Sequence, residues 1–557
     1  MAIAEATSGV KGSDVSRSRA SWRFVLAGMS GVLLALPLLN PQFYLFSWFS
    51  LVPLLFSVRG SSFKQSYFLS VFSGLIFYLI GTYWVWPFIV NMKGYSAVVA
   101  ALISCLFWLY SAHVIAIIIL LWKTLAKALK WGGQVLFPAL LVTVFSLFPN
   151  VFPIQFGGGQ SHFLLATQAT DIAGLYGLDF VIALSNICLY GLLSPYLKTN
   201  SWTEKNTQTI KSTQAKHQTH MPYVLSGVFI LVWFAYGYYS LSFWEQQQSE
   251  WPTKKIGIVQ SNNTPSIAIP DPQPGYGWSY PPEMEMTEQL AQAGAQIVFW
   301  PESRYKGYFA SDYVQAAYLN RIKKMKIPLV FQDMERVNSL DDETKEYNTM
   351  VLLSDQGAMD AIYRKQKRIA FGEYMPILEH NDRLRVWAES AVGDFLANIS
   401  KGDDRTKFSA AGMQIIPLIC FEAIFSDFVA EAVTQSSTEG GGGVLVAASF
   451  DGWFGQSLAP FQHLALSTIR AVENRVPLIH VINNGPSAVV MPSGRVIAQT
   501  TAFTKVAVTV DMPYSENSGG SFYSRYPHAF LYGVYGLLLI ILIKYIIGFV
   551  SSSSRQL

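Results

Sequence analysis

The sequence predicts a polytopic α-helical membrane domain of about eight spans carrying one extracytoplasmic domain of α/β or layered α+β type. Hydrophobic residues make up 51% of the 557 and charged residues only 14%, against about 25% charged in an average soluble protein. The charge-free stretches cluster before residue 245 and after residue 527. Between 253 and 513 the pattern changes to short β-branched runs alternating with amphipathic helical stretches, as stacked sheet and helix layers require. An ordinary cytosolic enzyme is excluded. A nucleic-acid partner is set aside as well, because the Lys and Arg behind the net charge of +4 are scattered through short loops.

A bilayer span needs about 20 mostly apolar residues. Such runs lie near 22–39, 42–58, 67–90, 96–121, 134–149, 172–195, 222–242 and 528–549, with Pro53 and Pro138 interrupting the short second and fifth. Orientation follows from positive charge retained on the cytoplasmic side. Lys11, Arg17, Arg19 and Arg23, then Arg59 and Lys64, then Lys123, Lys127 and Lys130, then Lys198, Lys205, Lys211 and Lys216 occupy alternate connections, whereas the others hold Lys93 alone. Both termini are therefore expected in the cytoplasm and the soluble domain outside. The expected division is a flexible tail 1–20, a membrane domain 21–243, a soluble domain 244–526, a last span 527–550 and a tail 551–557, with 200–220 flexible too. Residues 1–20 are polar and no small-residue cleavage site follows, so the first span reads as a signal anchor. The spans carry few ionisable groups, with His113 and Asp171 or Asp179 near the exceptions, fewer than an ion pathway needs.

In the soluble segment, strands are expected at 254–260, 295–301, 327–333, 347–354, 358–364, 412–420, 442–449, 478–483, 487–491 and 495–499. Helices are expected at 283–293, 311–325, 423–436 and 461–475. About 260 residues suffice for one sizeable core.

The chemistry starts from cysteine. Of three, Cys105 and Cys188 fall inside spans, which leaves Cys420 without a disulfide partner in a compartment that favours disulfides. A lone Cys is more often a core residue. Yet Pro417-Leu418-Ile419-Cys420-Phe421-Glu422 is an apolar strand passing directly into a helix, a turn that exposes a side chain and aims backbone N–H groups at it. Ile297-Val298-Phe299-Trp300-Pro301-Glu302 is a second apolar strand, ending in a carboxylate, and Tyr363-Arg364-Lys365-Gln366-Lys367-Arg368 leads into Phe371-Gly372-Glu373-Tyr374. A general base, a cation for an oxyanion and a thiol nucleophile make a complete acyl-transfer set. No metal or other cofactor is expected: the eight His form no ligand-spaced cluster, and no phosphate-binding Gly loop or dinucleotide fingerprint appears.

These three segments resemble the Glu-Lys-Cys triad of the nitrilase superfamily. With Tyr347-Asn348-Thr349, Trp453-Phe454-Gly455 and Asn483-Asn484-Gly485 in this order, and a soluble domain inserted before the last span, the whole chain is similar to the bacterial apolipoprotein N-acyltransferases. The resemblance implies an αββα sandwich with its site facing the membrane, in the bacterial inner membrane. It implies Glu302 as base, Lys365 as oxyanion stabiliser and Cys420 as nucleophile, with Glu373 and Glu422 organising the site and the Phe421 N–H completing an oxyanion hole. It also implies a phospholipid acyl donor such as phosphatidylethanolamine, a thioester intermediate, and the α-amino group of a diacylated apolipoprotein as acceptor. Trp278, Trp453 and Tyr374 are the candidate substrate contacts. Tyr305-Lys306-Gly307-Tyr308-Phe309 and residues 374–397, with Met375, Ile377, Leu378 and Trp387, are candidate lipid-facing lids. Ala370, Phe421 and Phe450 depart from the family, which commonly has Pro, Tyr and Asn there. The competing readings are a nitrilase-like amidase or lipid hydrolase, and a membrane protein that only binds lipid or lipoprotein.

Overall fold

The computed structural model describes residues 8–126, 133–196, 221–266, 268–303, 305–338, 344–370, 372–374, 381, 383–384, 387, 399–437, 442–516 and 519–553. The N-terminal half holds helices α1 (Ser8–Leu39), α2 (Phe63–Gly81), α3 (Val85–Lys93), α4 (Ala97–Leu125), α5 (Gly133–Leu147), α6 (Thr170–Leu193) and α7 (Met221–Ser249). Helix α1 starts inside the segment expected to be flexible, and the segment 200–220 lies outside the described residues.

Among the described residues six helices are long and apolar enough to cross a membrane: Ser21–Leu39, Phe63–Gly81, Ala97–Leu125, Thr170–Leu193, Met221–Ser249 and Ala529–Ile547. The expected count of eight is not confirmed, and three of the expected runs differ from single full-length helices. The run 42–58 folds as a 3-10 helix, Pro41–Trp48, and a separate short helix, Val52–Ser57, because Asn40 caps the first and Pro53 can only open the second. The Leu51 N–H between them is taken by the Asn186 side chain at 2.7 Å. The run 67–90 breaks after Gly81: the Thr82 hydroxyl turns back to the Tyr78 carbonyl, while Trp108 Nε1 donates to the Thr82 carbonyl at 3.2 Å. The run 134–149 forms the 15-residue α5, about 22 Å long at 1.5 Å per residue against a hydrocarbon core of roughly 30 Å.

Small residues set the helix spacing. A Cβ at Gly74 of α2 would stand 2.7 Å from the Ala112 carbonyl of α4, so only glycine allows that approach. Gly174 kinks α6 at φ +63, where a Cβ would meet the Tyr523 ring at 2.3 Å.

The soluble part is two six-stranded sheets face to face. The first has the order β12-β1-β2-β3-β4-β5, from β1 (Thr253–Gln260), β2 (Ile297–Phe299), β3 (Leu329–Asn338), β4 (Thr344–Leu353), β5 (Met359–Arg364) and β12 (Val506–Pro513). The second has the order β11-β10-β9-β8-β7-β6, from β6 (Phe408–Ala410), β7 (Met413–Ile419), β8 (Val444–Ser449), β9 (Leu478–Ile482), β10 (Ala488–Val490) and β11 (Val496–Gln499). Each sheet has three parallel neighbours, β1-β2-β3 and β7-β8-β9, with antiparallel strands completing it.

Strand alternation divides the side chains between two faces. Ile256, Phe299 and Val330 of one sheet join Ile415, Val446 and Ile479 of the other in the inter-sheet core. Val298, Leu329 and Phe331 face α8 (Pro282–Gln292) and α9 (Asp312–Met325), while Leu418, Leu445 and Leu478 face α10 (Ser426–Ser437) and α11 (Ala459–Asn474). The αββα layering is thus present, and α12 (Ala529–Ser553) follows it. The inter-sheet core and the packed membrane helices belong to one contiguous cluster of buried side chains. Helix α11 carries polar links on the same boundary: Gln462 donates to the Leu38 and Gly81 carbonyls at 3.0 and 2.9 Å, and Glu473 accepts from the Leu175 N–H at 2.9 Å.

Candidate active site

Three strand ends converge on one buried polar centre. Strand β7 ends at Ile419, and Cys420 begins a 3-10 turn with φ +54, a left-handed backbone that costs a non-glycine residue about 1–2 kcal/mol. Buried Glu422 holds that turn. Its carboxylate accepts from the N–H groups of Ile419 (2.8 Å), Gln366 (2.7 Å) and Lys367 (2.9 Å) and from the Tyr363 hydroxyl (2.9 Å). One side chain therefore ties the cysteine turn to the segment leaving β5, which carries Lys365.

Lys365 is fully buried, with Nζ 2.8 Å from Glu373 Oε1. The other Glu373 oxygen accepts from the Ile369 N–H at 2.8 Å, so the turn fixes the carboxylate that fixes the lysine. Burial alone would lower the Lys365 ammonium, but the Glu373 and Glu302 carboxylates around it hold it above the ordinary lysine range. Glu302 follows β2 and is held at both oxygens, by Asn348 Nδ2 at 2.7 Å and by the Phe450 N–H at 3.0 Å. Burial pushes its carboxyl up, and nearby Glu373 adds to this while Lys365 opposes it. A carboxylate so placed is a stronger proton acceptor than one in water.

The Cys420 thiol is pushed well up by burial and by the Glu302 carboxylate, with Lys365 acting in the opposite sense. A thiol held in that direction calls for a base at the moment of attack. Alkylation by iodoacetamide, followed by mass spectrometry, is expected to run at least about tenfold slower at pH 7.5 than for a free cysteine of pKa about 8.5, and to keep rising through about pH 9.5.

The loop after β8 closes the site towards the membrane helices. Phe450 supplies the N–H on Glu302, Asn91 of α3 donates to the Trp453 carbonyl at 3.2 Å, and the Phe454 ring stacks on Phe88 at 5.0 Å. Phe421, beside the cysteine, meets Phe152 of the connection after α5 at 5.4 Å. The site thus lies at the end of the sandwich that packs against the membrane helices.

Glu302, Lys365, Cys420, Glu373, Glu422 and Phe421 are brought together. Trp453 belongs to the closing loop, its ring 5.4 Å from Phe450, and Tyr374 lies under the Arg368 guanidinium at 4.4 Å. Trp278 stands edge-on to Tyr305 at 5.0 Å and packs against the outer-face cluster of the first sheet. Of the candidate lids, Lys306 is anchored in a buried ion pair with Glu283 at 2.6 Å and Tyr308 is fully buried, so this segment is packed structure. Met375, Ile377 and Leu378 lie outside the described residues.

Three supports carry no role in the sequence reading. Asn348, of the Tyr347-Asn348-Thr349 motif, links Glu302 to Gln332 (2.7 and 2.9 Å). Asn483 donates to the Glu302 carbonyl at 3.1 Å and accepts from the Asn263 N–H at 2.7 Å. Asp451, next to Phe450, pairs with His463 of α11 at 3.1 Å, which holds its carboxylate below the usual range against burial.

Residues 30–188 match the family model of the apolipoprotein N-acyltransferase N-terminal domain, and residues 279–517 match that of the carbon-nitrogen hydrolases. An apolipoprotein N-acyltransferase from Geobacter metallireducens is 28% identical over 543 residues, covering 91% of this chain and 92% of the relative. One from Bdellovibrio bacteriovorus is 23% identical over 496 residues, 84% of each chain. The crystal structure of an amidase from Nesterenkonia sp. aligns at 17% identity over 51% of this chain and 96% of its own, with a TM-score of 0.35. With one family model on the membrane helices, the other on the sandwich and full-length relatives across both, the chain belongs to the apolipoprotein N-acyltransferases of the nitrilase superfamily.

Proposed function

We propose that the protein transfers an acyl chain from a membrane phospholipid, phosphatidylethanolamine in the first instance, through a Cys420 thioester to the α-amino group of an S-diacylglyceryl cysteine at an apolipoprotein N-terminus. The observation that carries it is the meeting of buried Cys420, Glu302 and Lys365 at strand ends packed against the membrane helices. Glu302 takes the thiol proton as Sγ attacks the ester carbonyl. The Lys365 ammonium and the Phe421 N–H stabilise the oxyanion. Collapse expels the lysophospholipid oxygen, which recovers the proton from Glu302. The neutral amine then attacks the thioester and gives up a proton to Glu302, the amide forms, and the departing thiolate recovers that proton. A covalent intermediate lets two lipid-anchored substrates use one site in turn, and the apolar rings of Phe152, Phe421 and Phe454 keep water from the thioester. The same reading puts the sandwich, 244–526, on the periplasmic face of the inner membrane with both termini in the cytoplasm, as the distribution of Lys and Arg supports.

The test is intact-protein mass after mixing the purified protein with phosphatidylethanolamine. An acyl-sized adduct that neutral hydroxylamine removes, and that a diacylated peptide discharges with gain of one acyl chain, is the expected result. An adduct that water discharges as fast as the peptide does would make the protein a lipid hydrolase instead.

A further inference from the structure

The basic run after β5 holds a cation that the chemistry above does not use. Lys365 is buried at the site, and the Arg368 guanidinium is taken by the Ile399 carbonyl at 2.9 Å and by the Tyr374 ring. Lys367 is exposed, and no carboxylate among the described residues lies within ion-pair distance of it. Its backbone is nonetheless fixed relative to the nucleophile, because its N–H donates to the same Glu422 oxygen that accepts from Gln366. Its Nζ stands over the Phe425 and Phe428 rings at 5.7 and 5.8 Å. Phe425 packs on Phe421 at 5.2 Å, and Phe421 on Phe152 of the membrane side. The ammonium therefore sits at the polar end of an aromatic row whose other end is apolar and faces the membrane helices. Arg405 also lies over Phe428, at 4.7 Å, and is neutralised by Glu431 at 2.6 Å, which leaves Lys367 as the available charge.

A glycerophospholipid presents the same sequence of groups: an acyl ester at the apolar boundary, then a phosphodiester a few bonds outward. We propose that Lys367 binds the phosphodiester of the lipid donor and so sets the register of its ester carbonyl on Cys420. The inference rests on the phospholipid-donor reading above. A compact ammonium on a rigid backbone suits a phosphate that must dock and leave in each turnover.

The experiment compares single-turnover acylation of Cys420 in wild type, Lys367→Gln and Lys367→Arg with two donors in neutral detergent micelles: phosphatidylethanolamine, and a long-chain p-nitrophenyl ester with no phosphate. Lys367→Gln is expected to slow acylation by the phospholipid about tenfold, as loss of one charge-assisted contact implies, and to leave the neutral ester within about twofold. Lys367→Arg is expected to retain most of the phospholipid rate, and the wild-type advantage to shrink at high salt. Equal losses with both donors would make the residue structural, and no loss with either would remove the contact; each overturns the proposal. Inhibition of the phospholipid reaction by inorganic phosphate, beyond that of chloride at equal ionic strength and lost in Lys367→Gln, would make this a free-phosphate site and overturn the lipid assignment. Wild-type protein acylated by the neutral ester but not by the phospholipid would overturn the donor reading itself, a failure distinct from a Lys367 variant that behaves as wild type.

Discussion

Cys420→Ala is expected to abolish both the acyl-enzyme and N-acylation while the protein remains folded, and Lys365→Met to lower the acylation rate by about 10²–10³-fold with the thiol intact. The two losses differ in kind. Alanine removes the only atom that carries the acyl chain, so nothing remains to measure by mass. Methionine keeps the nucleophile and the base but removes the charge that meets the oxyanion. That charge acts inside a site where Lys365 is fully buried, so little solvent screens it. Lys365→Met also removes the cation that opposes the upward push on Glu302, which raises that carboxyl further. The residual rate of Lys365→Met should therefore peak at higher pH than that of wild type, since the base ionises later. Lys365→Arg should not restore activity, because the extra guanidinium volume has no space in a fully buried position. A Cys420→Ala protein that still N-acylates a diacylated peptide would remove the covalent scheme. A Lys365→Met protein within about threefold of wild type would remove the oxyanion role.

The proposed triad is legible because Glu302 and Cys420 each follow a short apolar strand and Lys365 stands in the basic run that leaves a third, and strand ends are where a buried sheet can present a polar side chain. The supports are less so. Asn348 lies in the middle of β4 as a buried polar residue, and only the folded register across β3 and β4 shows that it bridges Gln332 and Glu302. Strand β12 escapes for a different reason: nearly all of its residues are partly exposed on both faces, so it lacks the in-out contrast that marks a strand. Its existence depends on pairing along its length with β1, some 250 residues upstream. The membrane runs are legible as apolar stretches, but the breaks at Leu51 and Thr82 depend on Asn186 and Trp108 from other helices. Composition measures whether a stretch tolerates lipid. It does not report which backbone groups a neighbour will capture.

Asp171 shows the same limit with larger consequences. Within the spans it reads as one of a few unexplained ionisable groups, yet its partner is Arg475, 304 positions away, at the end of α11. The Arg475 guanidinium donates to Asp171 Oδ2 at 2.7 and 2.9 Å, to the Gln168 side chain and carbonyl, to the Pro492 carbonyl and to the Ser240 hydroxyl. One side chain thus joins the start of α6, the middle of α7 and the sandwich. Tyr236 of α7 donates to both Asp171 oxygens, so the carboxylate too is fully engaged. Arg475→Met is expected to cost about 3–5 kcal/mol, because it leaves Asp171 charged and buried with no cation. Much of that should return in Arg475→Met/Asp171→Leu, where no unpaired charge is left. Thermal inactivation of the detergent-solubilised protein, read as a half-life, would show the single variant far shorter-lived than wild type and the double variant between them. Activity should follow the same order, since Glu473, two residues before Arg475, accepts from the Leu175 N–H and shares this anchor of α11 on α6. If the single and double variants are equally short-lived, Arg475 contributes packing alone and the pair is not what locks the catalytic domain to the membrane helices.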